Sequence, residues 1–136
     1  MKKLFFLVVF ALVAQMGLAQ VAASPGQSAN DVAIAAVDNQ VFDFGKIKQG
    51  VPATHEFSFV NKGKVPMIIT NAQPSCGCTI PAWTKDPIPP GGTGFVKATY
   101  NAASPGLFDK SITVTANVES GMVMLRIRGE VVVPNN

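Results

Sequence analysis

The sequence predicts an all-β fold, two antiparallel sheets packed as a sandwich of about seven strands. Three observations carry this. Apolar residues alternate with polar ones at period two in segment after segment, glycine- and proline-rich turns recur at intervals of about ten residues, and no stretch has a convincing helical period.

The first clear strand is VFDFG, residues 41–45, with Phe42 and Phe44 on one face. KIKQGVPA turns the chain into HEFSFVN, residues 55–61, where Phe57 and Phe59 point inward. NKGKVP is the next turn, and MIITNAQPS reads as a strand ending at Pro74. The segment PAWTKDPIPPGGTG reads as a loop, because its prolines and glycines exclude a helix or a central strand. FVKATYN, residues 95–101, resumes the alternation with Val96, Ala98 and Tyr100 on one face. NAASPG turns the chain again. KSITVTANV then directs Ile112, Val114 and Ala116 inward, and VMLRIRGEVVV does the same with Val123, Leu125 and Ile127, leaving Arg126 and Arg128 on the wet face. Sequential hairpins of this kind favour an immunoglobulin-like antiparallel arrangement. The cysteine–tryptophan–cysteine core of antibody domains is not expected, since cysteines two residues apart cannot pin sheets about 10 Å apart.

Ahead of these strands, MKKLFFLVVFALVAQMGLAQ has two lysines, an apolar run from Leu4 to Ala14 and small residues at Gly17 and Ala19. This is the layout of a secretory signal peptide over residues 1–19. The apolar run is too short for a stable membrane span. Residues 20–39 read as a flexible leader, with a short strand possible around Val32 to Ala36, and residues 40–134 as the sandwich domain. Removal of the signal takes Lys2 and Lys3 from 11 basic residues, leaving 9 against 8 acidic ones. The basic pI of the whole chain is therefore no evidence for nucleic acid, whose binding needs a clustered basic face, and no nucleic-acid partner is expected. Export to a periplasm or the cell exterior also places the two cysteines where thiols can be oxidised.

The motif series VFDFGKIKQG, HEFSFVNKGKVPMII, PSCGCTIPAW, PIPPGGTG, FDKSITVTANV and LRIRGEV resembles the bacterial domain of unknown function 1573, from about Val41 to Val133. The resemblance implies an exported bacterial protein and an immunoglobulin-like fold related to the Hydin and major-sperm-protein group. Members of that wider group often act as docking or assembly modules. The family's signature cysteines fall on Cys76 and Cys78, with Gly77 between and Thr79 after.

Three readings of Cys76-Gly77-Cys78 stay open: a shaped turn, a thiol–disulfide exchange pair, or two thiolates for copper(I) or zinc. In an extended strand the two Cα atoms would lie about 6.6 to 7 Å apart, at the upper limit of disulfide geometry near 6.8 Å. A disulfide thus requires a bend, which Gly77 permits. Closing three residues is worth only about 1.6 kcal/mol of chain entropy. Redox chemistry needs a thiolate with a lowered pKa, usually supplied by a helix end or a neighbouring cation, and Lys85, the nearest cation in sequence, is not obviously placed for it. Two cysteines supply half of a tetrahedral zinc site, so zinc needs further ligands, whereas two thiolates suffice for two-coordinate copper(I). His55 shares a face with Phe57 and Phe59 and reads as a packed residue, and Met67 and Met124 as fillers of apolar space. The carboxylates are scattered, and nothing orients His55 toward a cysteine, so no catalytic set is expected. Trp83 is either a partner anchor or, the stronger reading, a cap on the core. Asn61 and Asn117 read as turn or strand-end residues bonding nearby backbone.

The reading is therefore an exported, non-catalytic binding module without a cofactor. Its partner would be a protein or a cell-envelope component, met through strand edges or through Cys76, Gly77, Cys78, Thr79 and Trp83. The alternative is a small thiol module acting through Cys76 and Cys78.

Overall fold

The computed structural model describes residues 32–135. The segment read as a signal peptide and most of the leader lie outside them. Eight strands form in chain order: β1 (Ala35–Val37), β2 (Val41–Lys48), β3 (Ala53–Asn61), β4 (Ile69–Pro74), β5 (Thr79–Trp83), β6 (Thr93–Tyr100), β7 (Gly106–Ala116) and β8 (Met122–Val132). They make two four-stranded sheets, β1-β3-β6-β5 and β2-β8-β7-β4, stacked as a sandwich. β1 falls inside the 20–39 stretch, close to the short strand expected there.

The alternation read from sequence sets the core. Phe57 and Phe59 from β3, Val96 and Ala98 from β6, Ile112 and Val114 from β7, and Leu125 and Ile127 from β8 are all buried. Tyr100 stacks on Phe108 across the two sheets, with ring centroids 4.0 Å apart. Arg126 and Arg128 face outward, where they pair with Asp109 and Asp43.

Two features depart from the sequence reading. The first is β5, which occupies the beginning of the segment read as loop. Cys78 C=O accepts from Asn101 N–H, and Thr84 N–H donates to Phe95 C=O. Backbone groups alternate sides along a strand, so the even-numbered residues of β5 face β6 and Pro81 faces away. Its missing N–H therefore costs no ladder bond, which is how an edge strand tolerates proline. The second is the β2–β8 pair, which is parallel while the other pairs are antiparallel. The Gln49–Gly50 turn carries the chain across to the other sheet, so β2 has no hairpin partner in β3 and docks beside the last strand instead.

The buried side chain of Asn61 closes one end. Its Nδ2 donates to Val65 C=O at 2.7 Å and Ile88 C=O at 3.0 Å, and its Oδ1 accepts from Gly63 N–H at 3.0 Å and Ile34 N–H at 3.4 Å. Its backbone bonds Gly91 and Gly92. Asn117 ties β7 to the strand crossover in the same way, accepting from Ile68 N–H and donating to Pro66 C=O. These are the backbone-bonding roles expected of both asparagines, extended to residues distant in sequence.

Candidate functional site

Cys76 and Cys78 form a disulfide, with Cα atoms 5.3 Å apart. The bend that this requires is the corner where the chain leaves β4, the edge of one sheet, and enters β5, the edge of the other. Thr79 N–H reaches back to Cys76 C=O at 3.4 Å. Ser75 holds one flank of the corner to Ser111 through two bonds, and Cys78 C=O holds the other to Asn101. Cys76 and Cys78 are half-buried and Gly77 is exposed. Gly77 lies outside the left-handed region, and a Cβ added to it would meet nothing within 4 Å. The glycine expected to enable the bend is thus not demanded by the backbone. Thr79 is 2% exposed, and its Oγ1 sits 3.9 Å from Cys76 Sγ.

Trp83 packs against the core, its indole Nε1 buried without a hydrogen-bond partner. The Lys85 ammonium lies 3.1 Å from the ring centroid, so this cation is committed to the indole face. His55 is stacked on Phe42 at 3.6 Å and meets Phe57 edge-on. Burial holds its pKa below the ordinary histidine value, offset in part by Glu56. Among the described residues, no three His, Cys, Asp or Glu side chains converge as metal ligands.

Strand edges offer the second kind of surface, and they are not equivalent. At the β4–β5 side the outward positions are blunted. Ser75 N–H turns to β7, so Pro74 faces outward on β4 just as Pro81 does on β5. At the opposite side β2 begins to pair with β8 only at Val41, opposite Arg126. Arg126 N–H bonds Gln40 C=O, so by alternation the N–H and C=O of Met124 turn to the same side while Leu125 turns to β7. No partner for them occurs among the described residues. They open into a groove of about 590 Å³ between β8 and the Val32–Ala35 segment. Its rim mixes exposed apolar side chains, Ile34 at 54% and Met122 and Met124 each at 53%, with the polar Gln40, Glu119 and Ser120.

Met67 is fully buried, as expected of a filler, but Met124 is not: it alternates with the inward Val123 and Leu125, so its side chain stands on the outer face. Sequence reasoning did not single out Ile34, Gln40 or Met122 for this groove. The available signal was the outward phase of two methionines bracketing the inward Val123.

The sequence model of a family described as Protein of unknown function (DUF1573) matches residues 35–131, from the first residue of β1 to the penultimate residue of β8. The chain belongs to that family. Among solved structures, this DUF1573 domain is similar to a protein of unknown function from Porphyromonas gingivalis W83, at 14% identity and a TM-score of 0.68. The match covers 79% of this chain and 50% of that one, so the domain spans half of that protein's length. It is also similar to the ASH / PapD-like domain 7 of human CEP192, at 10% identity and a TM-score of 0.60 over 76% of this chain and 89% of that one. A third likeness is to the secreted serine protease VesC from Vibrio cholerae, at 16% identity and a TM-score of 0.56 over 71% of this chain and 23% of that one. At these identities the likenesses establish the fold alone. No curated protein matches the sequence.

Proposed function

We propose that this DUF1573 domain is an exported, non-catalytic binding module that captures an extended segment of a protein partner in the groove beside the start of β8. The N-terminal lysines and apolar run support export. One observation carries the docking reading: Met124 presents a backbone donor and acceptor toward a groove rimmed by exposed Ile34, Met122 and Met124. A peptide strand laid there would extend the sheet through main-chain bonds, and its alternate side chains would meet the apolar side chains of the rim. Methionine suits such a rim because its flexible side chain adapts to differing partners. The other edge is less suited, since Pro74 and Pro81 remove donors where an added strand would need them. The Cys-Gly-Cys loop is a weaker contact surface for the same partner, because Trp83 turns its bulk to the core.

The test uses a displayed library of extended peptides selected against the protein, with Met124→Pro and Ile34→Lys as counter-variants. Met124→Pro deletes the groove-side donor and leaves the bonds of Leu125 to β7 intact. Selected peptides should carry alternate apolar residues, bind neither variant, and shift amide resonances of Met122–Leu125. Selection of peptides that bind both variants as well as the parent, or no selection at all, would overturn the proposal.

A further inference from the structure

From the corner we infer that Cys76–Cys78 is a reversible thiol–disulfide exchange site, whose co-reactant is a small thiol or a thiol-bearing protein. The bond does little that the chain does not already do. It spans one residue, and it links neither sheet to a distant element. Closing so short a loop removes little freedom from the unfolded chain, so the fold gains little stability from the oxidised form over the reduced one. The flanks stay anchored when the bond opens: Ser75 to Ser111 at 2.9 and 3.1 Å, and Cys78 C=O to Asn101 N–H at 2.9 Å. Between the half-buried cysteines, of which Cys78 packs against the core, Gly77 is exposed with open space where a Cβ would stand, and this is the side from which a reductant would approach.

Exchange balances as two steps. The thiolate of the co-reactant attacks one sulfur, forms a mixed disulfide and releases the other cysteine as a thiolate. A second thiol then attacks the mixed disulfide, so two thiols become one disulfide while Cys76 and Cys78 take up two electrons and two protons. Thr79 acts as a positioning residue. Its buried hydroxyl, 3.9 Å from Cys76 Sγ, can donate to the thiolate that Cys76 becomes and so makes it the better leaving group. This site lies at the blunted edge of the sandwich and does not depend on the β8 groove.

The experiment equilibrates the protein with reduced and oxidised glutathione at graded ratios, traps thiols and reads intact mass, with circular dichroism on the same samples. The folded protein should convert between a form with no trapped thiol and a form with two, without change in its spectrum or its cooperative melting. Thr79→Val should slow reduction about fivefold, as loss of one hydrogen bond implies, and Thr79→Ser should restore it. Three results would each overturn the inference: a disulfide reduced only after denaturation, a pair that oxidised glutathione never closes, or reduction that unfolds the domain. Equal rates for Thr79→Val and the parent would remove Thr79 from the mechanism and with it the direction of cleavage.

Discussion

Two corners of this sandwich solve the same problem in opposite ways. At one, Asn61 ends β3 and its buried amide joins four backbone groups from Ile34 to Ile88. At the other, the chain passes from β4 to β5 through a disulfide that joins residues two apart. The comparison teaches that a covalent bond can hold less of a fold together than a neutral side chain. What matters is how much chain separation a link removes and how many buried groups it satisfies.

The largest expected effect breaks the first corner. Asn61→Ala leaves the Val65 carbonyl and the Ile34 and Gly63 amides without this partner, while the Ile88 carbonyl keeps Met67 N–H, and should cost about 3 kcal/mol of unfolding free energy measured in urea. Asn61→Asp should cost at least as much, since a carboxylate cannot donate to Val65 and Ile88 and turns charge toward them. Next comes one substitution made at both corners. In Gly63→Ala the new Cβ would stand 2.8 Å from Ile34 N and 3.0 Å from Ala33 Cα, so the backbone just before β1 must give way. About 2 kcal/mol is expected. Gly77→Ala meets open space and should stay within about 0.5 kcal/mol. Equal losses at the two glycines would erase the contrast.

Replacing both Cys76 and Cys78 by serine should cost no more than about 1.6 kcal/mol, the chain-entropy value of the closed loop. A loss as large as that of Asn61→Ala would show the disulfide to be a brace. Acid supplies the finest test, because neither corner titrates. His55, whose pKa burial lowers, favours the folded state in its neutral form. Its contribution is present above the unfolded value near 6.5 and declines as pH falls below it toward the folded value. Unfolding midpoints measured on either side of that value should show this acid loss unchanged in Asn61→Ala and in the double serine variant, and absent in His55→Phe.

Much of this was legible in the residues themselves. Phe57, Phe59, Val96, Ala98, Ile112, Val114, Leu125 and Ile127 announce their burial because an extended backbone turns alternate side chains to one face. β5 was not legible, because Pro81 argues against a strand unless its outer position is known, and position at an edge is a property of the assembled sheet. Met124 reads as filler only if methionine is judged by residue type; its place in the alternation, between inward Val123 and Leu125, already puts it on the outer face. The cysteine motif was visible, but its state was not, since an extended pair and a bent pair share one sequence.

By itself, then, the sequence determined the all-β class, the inward faces of the long strands and the places where the chain turns, because these follow from side-chain period and local backbone preference. Only the tertiary structure decided that β2 lies parallel to β8, that Asn61 gathers partners from distant turns, that prolines cap one pair of edges while β8 opens beside the other, and that Cys76 meets Cys78. Each of these depends on which segments become neighbours, and that is settled by burial of the whole core and not by any segment alone.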